Sequence, residues 1–233
     1  MNILNRAVFL LIVLIFCSVA FADDIIKIPN PEALRFQAEI GAFNQWDAKN
    51  SYPTRAILFA GSSSIRLWRT HDAFPEYAIL NRGFGGAHIS DVLYYYDQIV
   101  PKYEPAVIVF YAGDNDIASD KPVQQVYDDF QTLIGKIRKL KNPVTFIYLP
   151  IKPSLSRWSF WDKMNTLNLK IRDQYALDKN FIYVDTATPL LDASTNLPDT
   201  TLYMQDQLHL NEDGYKRWES LLAPVLEKAI IKK

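Results

Sequence analysis

Five short runs of the chain, residues 56–59, 77–80, 106–111, 144–149 and 181–184, are almost continuously apolar. A strand with one wet face alternates apolar and polar residues, so unbroken runs of this length predict strands buried on both faces. Between the runs lie segments with helical spacing. The clearest begins with Asp120 as a cap and Pro122 near the first turn, then sets Val123, Val126, Phe130, Ile134, Ile137 and Leu140 on one stripe. A second carries Trp158, Trp161, Met164, Leu167, Ile171 and Tyr175, and a last carries Tyr215, Trp218, Leu221, Leu222, Val225 and Leu226. Strand and helix alternate. That order predicts an α/β fold: a five-stranded parallel sheet with helices on both faces, joined by right-handed crossovers, with any active site at the carboxyl ends of the strands. Residues 31–47 predict an additional helix ahead of the first strand, packing through Phe36, Ile40, Phe43 and Trp46.

A chain of 233 residues, 49% of them apolar, suits one domain with a full core. The formal charge of -1 leaves no basic surface for a nucleic acid backbone or an anionic membrane, so nucleic acid is excluded as a partner. The first residues differ from the rest. Arg6 precedes an apolar run at 7–16, and Ala20-Phe21-Ala22 then offers small residues at both positions that a signal peptidase reads. The expectation is a signal peptide over 1–22, cleaved after Ala22, and an exported domain over 23–233 in the periplasm or secreted. A membrane anchor is the alternative, but the run is shorter than the roughly 20 apolar residues of a span, so no stable span is expected after cleavage. Cys17 is the only cysteine and leaves with that segment, which removes disulfide and thiolate chemistry from the mature chain. With three histidines in all, a multi-histidine zinc site is hard to build, and no metal or other cofactor is expected.

Four segments carry residues suited to chemistry. Gly61-Ser62-Ser63-Ser64 follows the first strand and runs into a helical turn at Ile65-Arg66-Leu67-Trp68. A serine at such a junction holds its hydroxyl at the carboxyl edge of the sheet, although serines at helix starts are also common caps. Asn81-Arg82-Gly83-Phe84-Gly85-Gly86 follows the second strand, and its glycines let backbone N–H groups approach a ligand. A dinucleotide site does not fit, since this is not the first βα turn and no glycine stands at position 88. Gly113-Asp114-Asn115-Asp116 follows the third strand, where an Asn amide can donate to an oxyanion and where an Asp-rich turn is equally at home. Asp206-Gln207-Leu208-His209 precedes a helix that starts near Asn211. A carboxylate three residues before an imidazole can fix its tautomer and leave the other nitrogen to take a proton from a serine.

Taken together, and in this order, the four segments resemble the SGNH hydrolase (GDSL-like lipase/acylhydrolase) family, with its nucleophile turn, oxyanion glycine, Gly-x-Asn-Asp segment and late Asp-x-x-His. The resemblance covers most of the chain after residue 22 and implies the flavodoxin-like three-layer α/β/α fold of that family. It also implies that Ser63 is the nucleophile, that the Ser63 N–H, the Gly86 N–H and the Asn115 side chain form the oxyanion hole, and that His209 is the base, oriented by Asp206. Ser62 stands where the family name implies Asp. The α/β-hydrolase elbow Gly-x-Ser-x-Gly is excluded by Ile65, where that motif needs glycine.

The resemblance implies an esterase with a small-molecule or glycan ester substrate. Acetyl esters of carbohydrates are the expected substrates, with lysophospholipid or thioester acyl chains as the alternative and a silent glycan-binding protein as the third. His88, Trp158 and Trp161 are the candidates for lining the substrate pocket. His88 serves equally as a structural residue at the helix start near Ser90, and the two tryptophans equally as part of a buried helical stripe. Asp114 and Asp116 alone make a weak metal site.

Overall fold

The computed structural model describes residues 33–231, so the export segment expected at 1–22 lies outside the described residues. A 3-10 turn at Ala33–Phe36 leads into helix α1 (Gln37–Lys49). Then follow β1 (Ile57–Gly61), α2 (Ser63–Arg66), α3 (Thr70–Ala73), β2 (Ile79–Gly83), α4 (Ile89–Tyr94) and α5 (Tyr96–Ile99). The second half brings β3 (Val107–Tyr111), α6 (Asp114–Ala118), α7 (Val123–Ile137), β4 (Thr145–Tyr148), α8 (Trp161–Tyr175), β5 (Phe181–Tyr183) and α9 (Glu212–Ile231). The strands form one sheet in the order β2-β1-β3-β4-β5, with every neighbouring pair parallel, in the three-layer arrangement that the apolar runs predict.

Alternation along each strand explains why the runs are apolar throughout. Leu58, Ala60, Ile108, Phe110, Phe146 and Tyr148 enter the core beneath α4, α5, α7 and α8. Their neighbours Ile57, Phe59, Val107, Val109, Tyr111 and Ile147 enter the opposite core, beneath α9. That second core centres on Trp218, which is fully buried with its ring 5.5 Å from Trp68 and 5.3 Å from Tyr111. Its indole N–H donates to the Thr186 carbonyl at 2.9 Å, so the large ring is buried without an orphaned donor.

Three local expectations are corrected. The second strand runs to Gly83 rather than stopping at residue 80, because its polar residues find partners. The Asn81 amide donates to the Ile65 and Trp68 carbonyls, and the buried Arg82 guanidinium pairs with Asp47 at 2.8 Å. Trp46 was expected to pack inward but is 44% exposed, its ring lying 5.3 Å from the Arg82 guanidinium as a lid over that ion pair. Asp120 does not cap α7: it turns the chain in the left-handed region at φ 59°, and Pro122 takes the N-cap position.

The chain leaves β1 for β2 on one side and then returns to β3 on the other. The carboxyl ends of β1 and β3 therefore flank the switch point where open parallel sheets present their sites. Gly61 ends β1 at φ 136°, and a Cβ there would stand 1.9 Å from the Tyr111 carbonyl oxygen. Gly61→Ala should therefore cost about 3 kcal/mol or more. Gly135→Ala in α7, where a Cβ meets nothing within 4 Å, should instead stabilise by about 0.5–1 kcal/mol. Urea unfolding of the two variants checks both, and a Gly61→Ala protein as stable as its parent contradicts the first.

Candidate active site

Ser63 is the first residue of α2, directly after the tight turn at the end of β1. The Ser62 N–H donates to the Tyr111 carbonyl at 2.9 Å, which ties this turn to β3. Ser63 Oγ lies 2.9 Å from His209 Nε2, and His209 Nδ1 lies 2.6 Å from Asp206 Oδ2. The other oxygen of Asp206 accepts the backbone N–H groups of Leu208 and His209, each at 2.9 Å. Gln207, at φ 52°, provides the left-handed residue that folds this short loop back on its own carboxylate.

Burial works to raise the Asp206 carboxyl, but the hydrogen bonds from the His209 ring, the His209 N–H and the Leu208 N–H outweigh it and hold the group down at about 2. Asp206 is thus ionised at neutral pH and can only accept. Nδ1 of His209 is then the donor of that pair, and the ring's other nitrogen, Nε2, faces the Ser63 hydroxyl.

The loops after β2 and β3 meet beside this array. Gly86 adopts φ 73°, and the space where a Cβ would stand is open to 4 Å. Asn115, in α6, donates through Nδ2 to the Ala87 carbonyl at 3.0 Å, while its Oδ1 accepts from the Arg157 guanidinium at 2.9 Å. Arg157 also pairs with Asp114 at 2.9 Å. The carboxamide of Asn115 is therefore oriented from both ends, with its nitrogen toward the Gly86-Ala87 loop. Beneath it lies Lys152, 3.2 Å from the Tyr111 hydroxyl and 3.9 Å from Asp114, its amine lowered to about 8 mainly by burial. Arg157 belongs to no motif, and only its position in the loop after the fourth strand hinted at it.

The structure brings Ser63, Asp206 and His209 into one hydrogen-bonded line, with Asn115 and Gly86 joined through Ala87. Of the two places expected for His88, the structure shows the one at the helix start and not the pocket mouth. The residue is 2% exposed at the N-cap of α4, with Nδ1 3.7 Å from Asp116 and Nε2 3.4 Å from the Ser119 hydroxyl. Burial first, then the positive charges of Lys121 and Arg35, lower its ring to about 3. At the helix start its backbone N–H donates to the Asp91 carboxylate at 2.9 Å. Asp116 is buried with it, paired to Lys121 at 2.9 Å, and Asp114 is met by Arg157, so each of these two carboxylates faces a cation. Trp158 and Trp161 stack on each other at 6.0 Å with an angle of 12° between the rings, both half-buried. Trp158 sits in the 3-10 turn Leu155–Phe160 and Trp161 opens α8. The same turn contacts the histidine loop, since the Ser156 N–H donates to the Gln207 carbonyl at 3.2 Å.

The sheet order defines a parallel, three-layer α/β protein, and the sequence places it in a family. The chain belongs to the GDSL-like lipase/acylhydrolase family, whose profile matches residues 54–217. That membership implies ester hydrolysis. Among solved structures, a protein from Streptococcus pneumonia whose name refers to platelet activating factor shares 22% identity and a TM-score of 0.73 over 83% of this chain and 94% of its own. A GDSL-like lipase from Bacteroides thetaiotaomicron shares 22% identity and a TM-score of 0.71 over 82% and 98%. A catalytic mutant of an acetylxylan esterase from Geobacillus stearothermophilus shares 14% identity and a TM-score of 0.57 over 74% and 94%. At these identities the likeness is one of fold. No curated protein matches the chain. Among the described residues, no helix is long and apolar enough to cross a membrane.

The buried His88 ring carries a pH signature. Between its ordinary 6.5 and about 3, the unfolded chain binds a proton that the folded ring does not, so acidification through that window removes stability. Asp116, raised to about 6 chiefly by burial, acts in the opposite sense between 3.8 and 6. The His88 contribution is therefore read as a difference. The stability of the parent relative to His88→Gln should shrink as pH falls from 6.5 toward 3, measured by urea unfolding at each pH, and a difference that stays constant contradicts a buried neutral ring.

Proposed function

We propose that this protein is an exported serine esterase that removes short acyl groups, acetyl above all, from carbohydrate esters. The observation that carries the mechanism is the 2.9 Å contact between Ser63 Oγ and His209 Nε2, backed by the 2.6 Å contact of His209 Nδ1 with Asp206. In this reading Ser63 Oγ attacks the ester carbonyl carbon while its proton passes to His209 Nε2. The oxyanion is held by the Ser63 N–H, the Gly86 N–H and the Asn115 amide. Collapse of the tetrahedral intermediate breaks the carbon–oxygen bond to the alcohol, which leaves with the proton from His209. Water then attacks the acyl-enzyme with His209 again as base, releases the acid and returns the proton to Ser63.

Burial supports Ser63 over its neighbours: Ser62 and Ser64 are 0% and 1% exposed, and Ser63, at 8%, has its hydroxyl on the histidine. Ser62 at the family's Asp position leaves that contact in place. The carbohydrate reading is supported by the half-buried pair Trp158 and Trp161, of which Trp158 shares the 3-10 turn that contacts the histidine loop, since flat aromatic faces suit sugar rings. The acetylxylan esterase among the proteins of like fold points the same way, and Ala20-Phe21-Ala22 supports export.

Hydrolysis of p-nitrophenyl acetate and longer homologues by residues 23–233 tests the proposal. Ser63→Ala and His209→Ala should fall to background, and Asn115→Ala should lose roughly 100- to 1,000-fold in kcat. Rates should be highest for acetate. A maximum at long chains overturns the carbohydrate ester in favour of a lipid, and activity that survives Ser63→Ala overturns the nucleophile.

A further inference from the structure

The family profile begins at residue 54, so α1 and the turn before it lie outside the matched segment. Yet two side chains of this N-terminal element reach the glycine loop after β2. Arg35 donates to the Gly86 carbonyl at 2.8 Å, and Glu39 accepts the Gly85 N–H at 3.3 Å. The same Glu39 carboxylate lies 3.6 Å from Arg66, in the helix that Ser63 opens. The guanidinium of Arg66 in turn lies against Gly85, where a Cβ would stand 3.0 Å from Cζ of Arg66.

The N–H of Gly86 belongs to the peptide between Gly85 and Gly86. The peptide before it is held through the Gly85 N–H by Glu39, and the peptide after it is held through the Gly86 carbonyl by Arg35. Two consecutive glycines have no Cβ to restrict their dihedrals, and Gly86 already sits in the left-handed region at φ 73°. Such a peptide can rotate and turn its N–H away unless both neighbours are fixed.

The element that supplies the two clamps is itself firmly seated. Phe36 is buried with its ring 4.9 Å from Phe84, Ile40 is buried, and the Tyr95 hydroxyl donates to the Ala33 carbonyl at 3.0 Å. The side chains of Glu39 and Arg66 are 36% and 49% exposed, so their ion pair contributes little to global stability. Their geometry nonetheless converges on one peptide.

We infer that Arg35 and Glu39 are positioning residues that hold the Gly85-Gly86 peptide with its N–H directed at the substrate oxyanion, and that Glu39, through Arg66, keeps this loop in register with the Ser63 turn. The inference rests on the proposed oxyanion role of Gly86. A hydrogen-bond donor that must be fixed before the transition state forms loses its effect when it is free to rotate, which lowers turnover more than ground-state binding.

The test uses Arg35→Ala, Glu39→Gln and Glu39→Ala in the protein of residues 23–233, with three readouts. Turnover of p-nitrophenyl acetate should show kcat lower by roughly 10- to 100-fold with KM changed less than about 3-fold. Melting temperature should stay close to the parent's for the Glu39 variants. Amide hydrogen exchange at Gly85, followed by NMR, should accelerate in Glu39→Ala. Arg35 also lies 3.7 Å from the buried carboxylate of Asp91, so Arg35→Ala should lose stability on that account, and the Glu39 pair keeps the test decisive.

Unchanged exchange overturns the clamp. Faster exchange with unchanged kcat, or a loss confined to melting temperature, overturns the positioning role. Exchange reads the clamp without any chemistry at Ser63, so a failure of the serine reading is recognised separately, by activity that persists in Ser63→Ala, and it removes the catalytic part of this inference.

Discussion

The hydrogen bond between Ser63 Oγ and His209 Nε2 joins residues 146 positions apart in the chain, and much of the fold can be understood as the means of closing that gap. Ser63 is fixed because β1 is a central strand, paired on both sides. His209 is fixed because its loop is pinned at both ends of a short hairpin: the Met204 N–H donates to the His209 carbonyl at 2.8 Å, and the Asn211 N–H to the Leu202 carbonyl at 3.1 Å. The helix that follows buries Trp218 against Trp68, close behind the serine turn. The Tyr215 hydroxyl donates to the Ser64 carbonyl at 2.9 Å, so α9 touches the serine turn directly. Packing of an apolar helix and placement of a polar side chain are here one event.

The same logic explains why so many charges are tolerated beneath the site. Asp114, Lys152 and Arg157 form one paired group, and Asp116 and Lys121 form another beside the neutral His88 ring. A buried charge without a partner is strongly unfavourable, whereas a paired and hydrogen-bonded one chiefly fixes geometry. The first group grips Asn115 through Arg157, and the second grips the start of α4 through the Asp116 carboxylate, which accepts the Ile89 N–H. The two loops that carry Gly86 and Asn115 are therefore held from below by electrostatics and bridged to each other by the Ala87 carbonyl.

Much of this was legible in the sequence, for physical reasons. Strands buried on both faces must be apolar throughout, so five runs sufficed for the sheet, and alternation with helical stripes sufficed for its layers. The four segments with suitable chemistry all follow strands, which places them at one edge whatever the exact register. Polar partnerships across the fold were not legible. Asn81 and Arg82 extend β2 only because Ile65, Trp68, Asp47 and Tyr103 satisfy them, and none of those lies nearby in sequence. The sequence left His88 between a pocket mouth and a helix start, because the burial of Asp116 and Lys121 beside it depends on tertiary packing. Arg35 and Arg157 carry no motif, and their meaning appears only when the carbonyl or carboxamide that each one meets is known.

The account rests on one serine being activated by one histidine. Treatment of the protein with a p-nitrophenyl phosphonate ester, followed by fragmentation mass spectrometry of the labelled peptide, tests that claim most directly. The predicted result is a single covalent adduct on Ser63, formed at a rate that collapses in His209→Ala. An adduct on Ser62 or Ser64, or labelling of Ser63 that proceeds equally well without His209, would contradict it.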